Sequence, residues 1–258
     1  MLSEVTGLVL KSVNLGESDR LITVFTKESG TVSAMVKGAR SLKNRNMASS
    51  QQFCYSTFVL YKKGDKLWVR ESNLIESFFG LRDTIEGLSL AGYIVEVLSD
   101  VTTAEAEGEL LRLALNSLYA ISEKKYTLDK IKAAFEIRAM SIIGFMPEVL
   151  SCRECGESAG DFFFDIMGGS IRCYKCKEKA ERQRSDICDD GTREVVSILS
   201  EGAKIALAYL VHSPIERIFA FNISDADMEI LSRATEKYIT NQLERSFKSL
   251  EFYKEVKR

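Results

Sequence analysis

Two pairs of cysteines constrain this chain more than any other feature. Cys152-Arg-Glu-Cys155 and Cys173-Tyr-Lys-Cys176 are C-x2-C knuckles with 17 residues between them. Thiolates at that spacing turn onto one cation, and two such knuckles complete a tetrahedron. Buried free cysteines rarely produce two paired knuckles, and no βαβ pattern surrounds either pair, which disfavours a thioredoxin-like redox motif. The spacing therefore predicts one structural zinc ion per chain, bound by Cys152, Cys155, Cys173 and Cys176. Four protein ligands close the shell and leave no position for a catalytic water.

The chemistry open to the rest of the chain is narrow. Among 258 residues there is a single histidine, His212, so a multi-histidine metal centre is impossible and any Ser-His-Asp or Cys-His arrangement has one candidate base. His212 precedes Ser213-Pro214 and reads as a helix end. No G-x-x-x-x-G-K-[ST] or G-x-G-x-x-G stretch occurs. The expectation is a protein that is not an enzyme. The start of the chain has an early Glu4 and no basic or cleavage-like pattern, and no window is apolar enough to span a membrane; both point to a cytoplasmic protein without a membrane partner. Cys54 reads as buried in a strand and Cys188 as an incidental loop residue.

The chain changes texture near residue 80. Before it, Val5–Leu10, Arg20–Thr26, Thr31–Lys37, Phe53–Tyr61 and Leu67–Arg70 read as five strands, with turn signals at Gly16–Asp19, Glu28–Gly30 and Lys62–Asp65. That predicts a small antiparallel barrel. After it, Leu81–Ser99, Leu110–Ile121, Leu128–Phe145, Arg193–Val211, Ala226–Leu243 and Phe247–Val256 carry apolar residues at helical spacing. Thr103–Gly108 reads as a helix connection and Phe162–Phe164 with Gly168-Gly169 as a strand and turn. The predicted division is 1–80 for the barrel and 81–258 for a helical domain, with the zinc-binding insert at 150–184.

Charge is segregated. Residues 1–80 hold 11 Lys/Arg against 7 Asp/Glu, whereas the whole chain has net charge -2. Lys27, Lys37, Arg40, Lys43 and Arg45 face only Glu28 between residues 27 and 45, and 38–46 reads as a mobile polar loop. Such a loop beside a small barrel suits a phosphate backbone, where each cation releases condensed counterions. Tyr61, Trp68, Phe25 and Phe58 are stacking candidates, although burial is the better reading for each. A second basic run, Arg172, Lys175, Lys177, Lys179, Arg182 and Arg184, is either a further nucleic-acid patch or a solvated flank.

Several blocks together resemble the bacterial RecO family of recombination-repair proteins. They are Gly7–Leu10, Gly16-Glu17-Ser18-Asp19-Arg20-Leu21, Val36-Lys37-Gly38-Ala39-Arg40, Gln52-Phe53, Ile142–Pro147, the four cysteines, and Leu243–Phe252. The resemblance implies an α+β chain: an N-terminal five-stranded OB-fold barrel, then an α-helical bundle with a zinc-ribbon-like insert. It further implies a DNA repair and recombination mediator that binds single- and double-stranded DNA and anneals complementary strands. With RecR, and RecF, such a protein helps load RecA onto DNA coated with single-strand-binding protein, in the nucleoid. Carried onto this sequence, the DNA-facing positions are Arg20, Lys37, Arg40, Lys43 and Arg45. The rival reading is a zinc-ribbon RNA-binding or ribosome-associated factor using the same barrel.

Overall fold

A computed structural model describes residues 2–27, 29–101, 107–184 and 195–257. The chain forms two compact units, Met1–Lys125 with Phe247–Arg258, and Tyr126–Ser246.

The first unit is built on a barrel of β1 (Leu2–Leu15), β2 (Asp19–Thr26), β3 (Thr31–Val36), β4 (Tyr55–Lys63) and β5 (Lys66–Glu76). It closes in the order β1-β2-β3-β5-β4, the OB-fold arrangement. All ladders are antiparallel except β3–β5, which runs parallel with Met35 opposite Trp68. Alternation along β4 sends Ser56, Phe58 and Leu60 inward. Phe58 and Leu60 meet Val9, Ile22, Val24, Val36 and Val69 in the barrel core, and Ser56 donates to the Ser49 carbonyl (3.2 Å). Gly7 lets β1 lie against β2, since a Cβ there would sit 2.3 Å from the Phe25 carbonyl oxygen. Strand β1 runs past the expected Leu10 to Leu15, through a register shift between Val9 and Lys11 that interrupts the alternation.

Helices α1 (Ile85–Asp100), α2 (Glu107–Ser122) and, from the far end of the chain, α7 (Lys248–Val256) complete this unit. The hydroxyl of Thr84 caps α1 by accepting from Gly87 N at 3.1 Å. The helix therefore starts later than the expected Leu81, which lies in a short 3-10 turn over Phe79–Arg82. The α7 segment docks on α1 through an edge-to-face contact between Tyr93 and Phe247 (5.4 Å) and a bond from Ser249 N to Glu96 (3.0 Å). Of the expected 103–108 connection, 103–106 lie outside the described residues, and Glu107 and Gly108 already belong to α2.

The second unit carries α3 (Leu128–Ile142), β6 (Phe162–Asp165), β7 (Ser170–Cys173), α4 (Tyr174–Arg184), β8 (Val196–Leu199), α5 (Glu201–His212) and α6 (Asp225–Gln242). Helix α3 stops before the expected Phe145, where Gly144 turns at φ 100°. The expected strand and turn around Phe162–Gly169 are present as β6 and its hairpin to β7. The expected helix over Arg193–Val211 is corrected. Residues 193 and 194 lie outside the described residues, and Val196–Leu199 form a strand that pairs with β6. Burial along it alternates, with Ser197 and Leu199 inward, and Ser200 caps α5 by accepting from Ala203 N. Between α3 and α6, the fully buried Lys132 bonds Glu136 (3.1 Å), Glu236 (2.9 Å) and the Ser232 carbonyl (3.1 Å). Thr235 donates to Glu136 at 2.7 Å. Among the described residues, no helix is long and apolar enough to cross a membrane.

Candidate nucleic-acid interface and metal centre

The parallel β3–β5 contact lies next to a groove that two cations line. Met35 pairs with Trp68 there; Arg70 lies two residues further along β5, and Lys37 is the first residue after β3. Both line an open groove of about 620 Å³, together with Tyr61, Asn44, Asn46 and Leu2. Tyr61 and Trp68 are register partners across β4–β5 and both are half-buried, with the Lys63 ammonium 5.9 Å from the Trp68 ring centre. Phe25 and Phe58 are fully buried in the core, which removes them as stacking surfaces. Arg70 was missing from the sequence-derived set.

The segment after β3 is not the open loop expected from its polarity. It is a ladder of turns, closed by Ser41 N to Gly38 O (3.0 Å), Asn44 N to Ser41 O (2.9 Å) and Met47 N to Asn44 O (3.1 Å). Asn and Ser side chains supply backbone partners there, as in Asx turns: Asn44 donates to the Lys37 carbonyl at 2.7 Å. Ala39 is fully buried and pins the ladder to the barrel. Gly38 turns at φ 62° and donates to Asp19 at 2.8 Å, which holds that carboxyl below its usual range.

The five predicted cations fall into different environments. Lys37, Lys43 and Arg45 are exposed, and Lys37 alone of the five lines the groove among the described residues. Arg40 is exposed, but its guanidinium donates to the Gly16 and Glu17 carbonyls (3.3 and 3.0 Å) and fastens the β1–β2 turn. Arg20 is half-buried and donates to the Met47 carbonyl (3.2 Å) and Ser50 Oγ (3.0 Å), bracing the turn ladder. Burial, and then the charge of Arg40, lower its pKa.

In the second unit, the four cysteines converge. Gly156, at φ 77°, donates to the Cys152 carbonyl (2.9 Å) and closes the first knuckle; Cys173 ends β7 and Cys176 lies in the first turn of α4. All four sulfurs lie within 4.8 Å of one another, and Cys155 and Cys173 are 3.7 Å apart. Metal–sulfur bonds of about 2.3 Å in a tetrahedron require sulfur–sulfur edges of about 3.8 Å, so the cluster fits a tetrahedral thiolate-bound ion. Burial pushes the Cys152 thiol up, but backbone donors at Cys173, Glu154 and Cys155 outweigh it and bring the group down to about 6. The Cys176 thiol is instead raised, chiefly by its bond to Cys155 and by burial. Four such neighbours do not all ionise without a cation to compensate them. The cluster could therefore hold a metal ion.

The basic flank of this centre is partly self-neutralised. Arg172 pairs with Glu154 (3.1 Å), Lys177 with Glu181 (3.6 Å) and Arg182 with Glu178 (3.7 Å), while Lys175 and Lys179 are exposed. Cys54 is buried as expected, Cys188 lies outside the described residues, and His212 is the last residue of α5.

Comparison with known proteins agrees with this architecture. Residues 1–78 match the family model described as recombination protein O N terminal, and residues 82–251 the one described as recombination protein O C terminal. A DNA repair protein RecO from Acetivibrio thermocellus is 36% identical over 257 residues, covering 99% of this chain and 97% of the relative. Another from Alkaliphilus metalliredigens is 30% identical, covering 99% of this chain and 100% of the relative. With a closed five-stranded barrel, a clustered four-cysteine centre and both family models matched, the chain belongs to the RecO family, whose role is in DNA repair and recombination.

Proposed function

We propose that this protein is a non-enzymatic recombination mediator. It binds single- and double-stranded DNA through the barrel, anneals complementary strands and, with RecR and RecF, helps RecA displace single-strand-binding protein. The observation that carries this reading is the groove lined by Lys37, Arg70 and Tyr61. Long cationic side chains on the rim of a rigid barrel suit a phosphate backbone, and a half-buried tyrosine gives a base a flat face. Such contacts are blind to sequence, as annealing of arbitrary strands requires. The exposed Lys43 and Arg45 extend the same positive surface, with Arg20 and Arg40 holding the turns that present it. In this reading the four cysteines hold a structural zinc ion, which supplies folding energy to the insert and no reactive position. The site of action is the cytoplasm, on the nucleoid.

The test is the Lys37→Ala, Arg70→Ala double variant. Losing two phosphate contacts flattens the slope of log K against log salt by about 1.4 to 1.8 for single or double strands. Weakening is similar for all sequences, and annealing of oligonucleotides coated with single-strand-binding protein falls in parallel. Thermal stability stays close to wild type, since both side chains are exposed and the Arg70–Glu71 pair is a surface contact of 3.7 Å. An unchanged slope with full annealing places the DNA site elsewhere.

A further inference from the structure

The four sulfurs of the cysteine centre are not equivalent. Cys152 and Cys173 are buried, Cys176 is half-buried, and Cys155 is exposed. An open cleft of about 740 Å³ reaches the centre from one side and is lined by two of the sulfur-bearing residues, Cys155 and Cys173, together with Glu157, Asp161, Tyr174 and Lys175. The same two cysteines have their sulfurs in contact at 3.7 Å. They come from opposite knuckles: Cys155 lies in the turn that Gly156 N closes onto the Cys152 carbonyl, and Cys173 is the last residue of β7. A small oxidant entering the cleft finds the exposed Cys155 with the buried Cys173 sulfur 3.7 Å from it. A disulfide needs the two sulfurs at about 2.05 Å, so the pair must close from 3.7 Å.

We propose that Cys155 and Cys173 form a reversible disulfide with hydrogen peroxide and that its formation expels the metal. The Cys155 thiolate attacks one peroxide oxygen; an S–O bond forms, the O–O bond breaks, and the departing hydroxide takes a proton to become water. The Cys173 thiolate then attacks Sγ of Cys155; the S–S bond forms, the S–O bond breaks, and a second hydroxide leaves as water after protonation. Two thiolates, one peroxide and two protons give one disulfide and two waters, with two electrons passing from sulfur to oxygen. A metal held by the four cysteines would then keep only Cys152 and Cys176 as protein ligands and would be expected to dissociate, loosening the first knuckle from β7 and α4. Metal loss rests on the zinc reading above, whereas the disulfide requires only the two sulfurs.

The experiment uses the full chain with Cys54 and Cys188 changed to Ser. Zinc content is measured first. The protein is then treated with hydrogen peroxide alongside glutathione as a positive control for oxidation. Released zinc is followed with a chromogenic chelator, and disulfides are mapped by alkylation and peptide mass spectrometry. The expected result is loss of one zinc for each Cys155–Cys173 link formed, restored by dithiothreitol and zinc. Cys155→His keeps a fourth ligand but removes the exposed thiolate, and slows release; Cys176→His leaves the reacting pair intact and releases zinc like the parent. Retained zinc with all four thiols still alkylatable overturns the inference, as do disulfides within either knuckle in place of the cross-link. Protein that holds no zinc at the outset yet forms the Cys155–Cys173 link overturns the zinc reading and leaves the disulfide standing.

Discussion

Replacing Lys132 by Met tests how the second unit holds together. Lys132 and Glu136 are essentially inaccessible, at 2% and 0% exposure, and Glu236 retains 22%. Burial pulls the lysine pKa down, but Glu136 and Glu236 more than offset it and hold it above its usual value. Burial pushes Glu136 up, and Lys132 only partly counters that push. Methionine nearly matches the lysine stem in volume, so the substitution removes charge and hydrogen bonds and leaves little cavity. Removing one partner of a buried pair costs about 3 to 5 kcal/mol, because the other charge stays behind uncompensated. At about 1.36 kcal/mol per decade, amide exchange of α3 and α6 should speed up by about two to nearly four decades wherever opening of this unit limits it. The cost should depend on pH in a defined direction. A carboxyl whose folded pKa lies above its unfolded one contributes stability that is present at low pH and lost as pH rises through the folded value. Without Lys132 that folded value rises further, so the variant's deficit should shrink toward pH 5 and widen toward pH 8. The assay is hydrogen exchange with mass spectrometry at both pH values, reading α3 and α6 peptides. A deficit below about 1 kcal/mol, or one that widens on acidification, would refute the picture of a desolvated, charged network.

Two further outcomes follow from the same structure. Cys173→Ser should reduce bound zinc and lower thermal stability, read by metal analysis and calorimetry, because site occupancy is folding energy; unchanged zinc content would remove Cys173 from the ligand set. Arg20→Ala should behave unlike the groove variant. It removes bonds to the Met47 carbonyl and Ser50 Oγ, each a charge-assisted bond of about 1.5 to 3 kcal/mol. It should therefore lower both the melting temperature and DNA affinity, whereas a loss of affinity at unchanged melting temperature would make Arg20 a direct contact.

What the sequence disclosed and what it hid divide along physical lines. The knuckles were legible because thiolate geometry is local: two residues between cysteines is a statement about one turn, and the structure brings all four sulfurs within 4.8 Å. The barrel strands were legible from β-branched runs between glycine turns. Strand β8 was not, because Val196–Leu199 is four residues long and abuts a good helix start at Ser200. An apolar run that short fits either period. The Lys132 network was hidden because a lysine on a helix normally faces water, and only the packing of α3 against α6, with Glu236 104 residues away in sequence, reverses that expectation.

The groove is the most instructive omission. Lys37 and Arg70 are 33 residues apart, and charge counting gave weight to the dense cluster at 37–45 while passing over an isolated arginine in β5. Density along the chain measures the unfolded string. What a phosphate backbone meets is density on a surface, and here barrel closure decides it. Antiparallel neighbours can be read from a hairpin, because the turn fixes the register. The β3–β5 contact has no turn: it is the parallel seam that closes the barrel, set by how five strands with their bulges meet. Near that seam Lys37, just past the end of β3, and Arg70 of β5 come to line one groove, while Arg40, three residues on from Lys37, is bonded to the β1–β2 turn. A slip of one residue at the seam would turn Arg70 to the opposite face and break up the groove while leaving composition, charge and every sequence block unchanged. If Lys37 and Arg70 contact DNA as proposed, that contact is specified by the packing of Val36, Phe58 and Val69 inside the barrel as much as by their own charge.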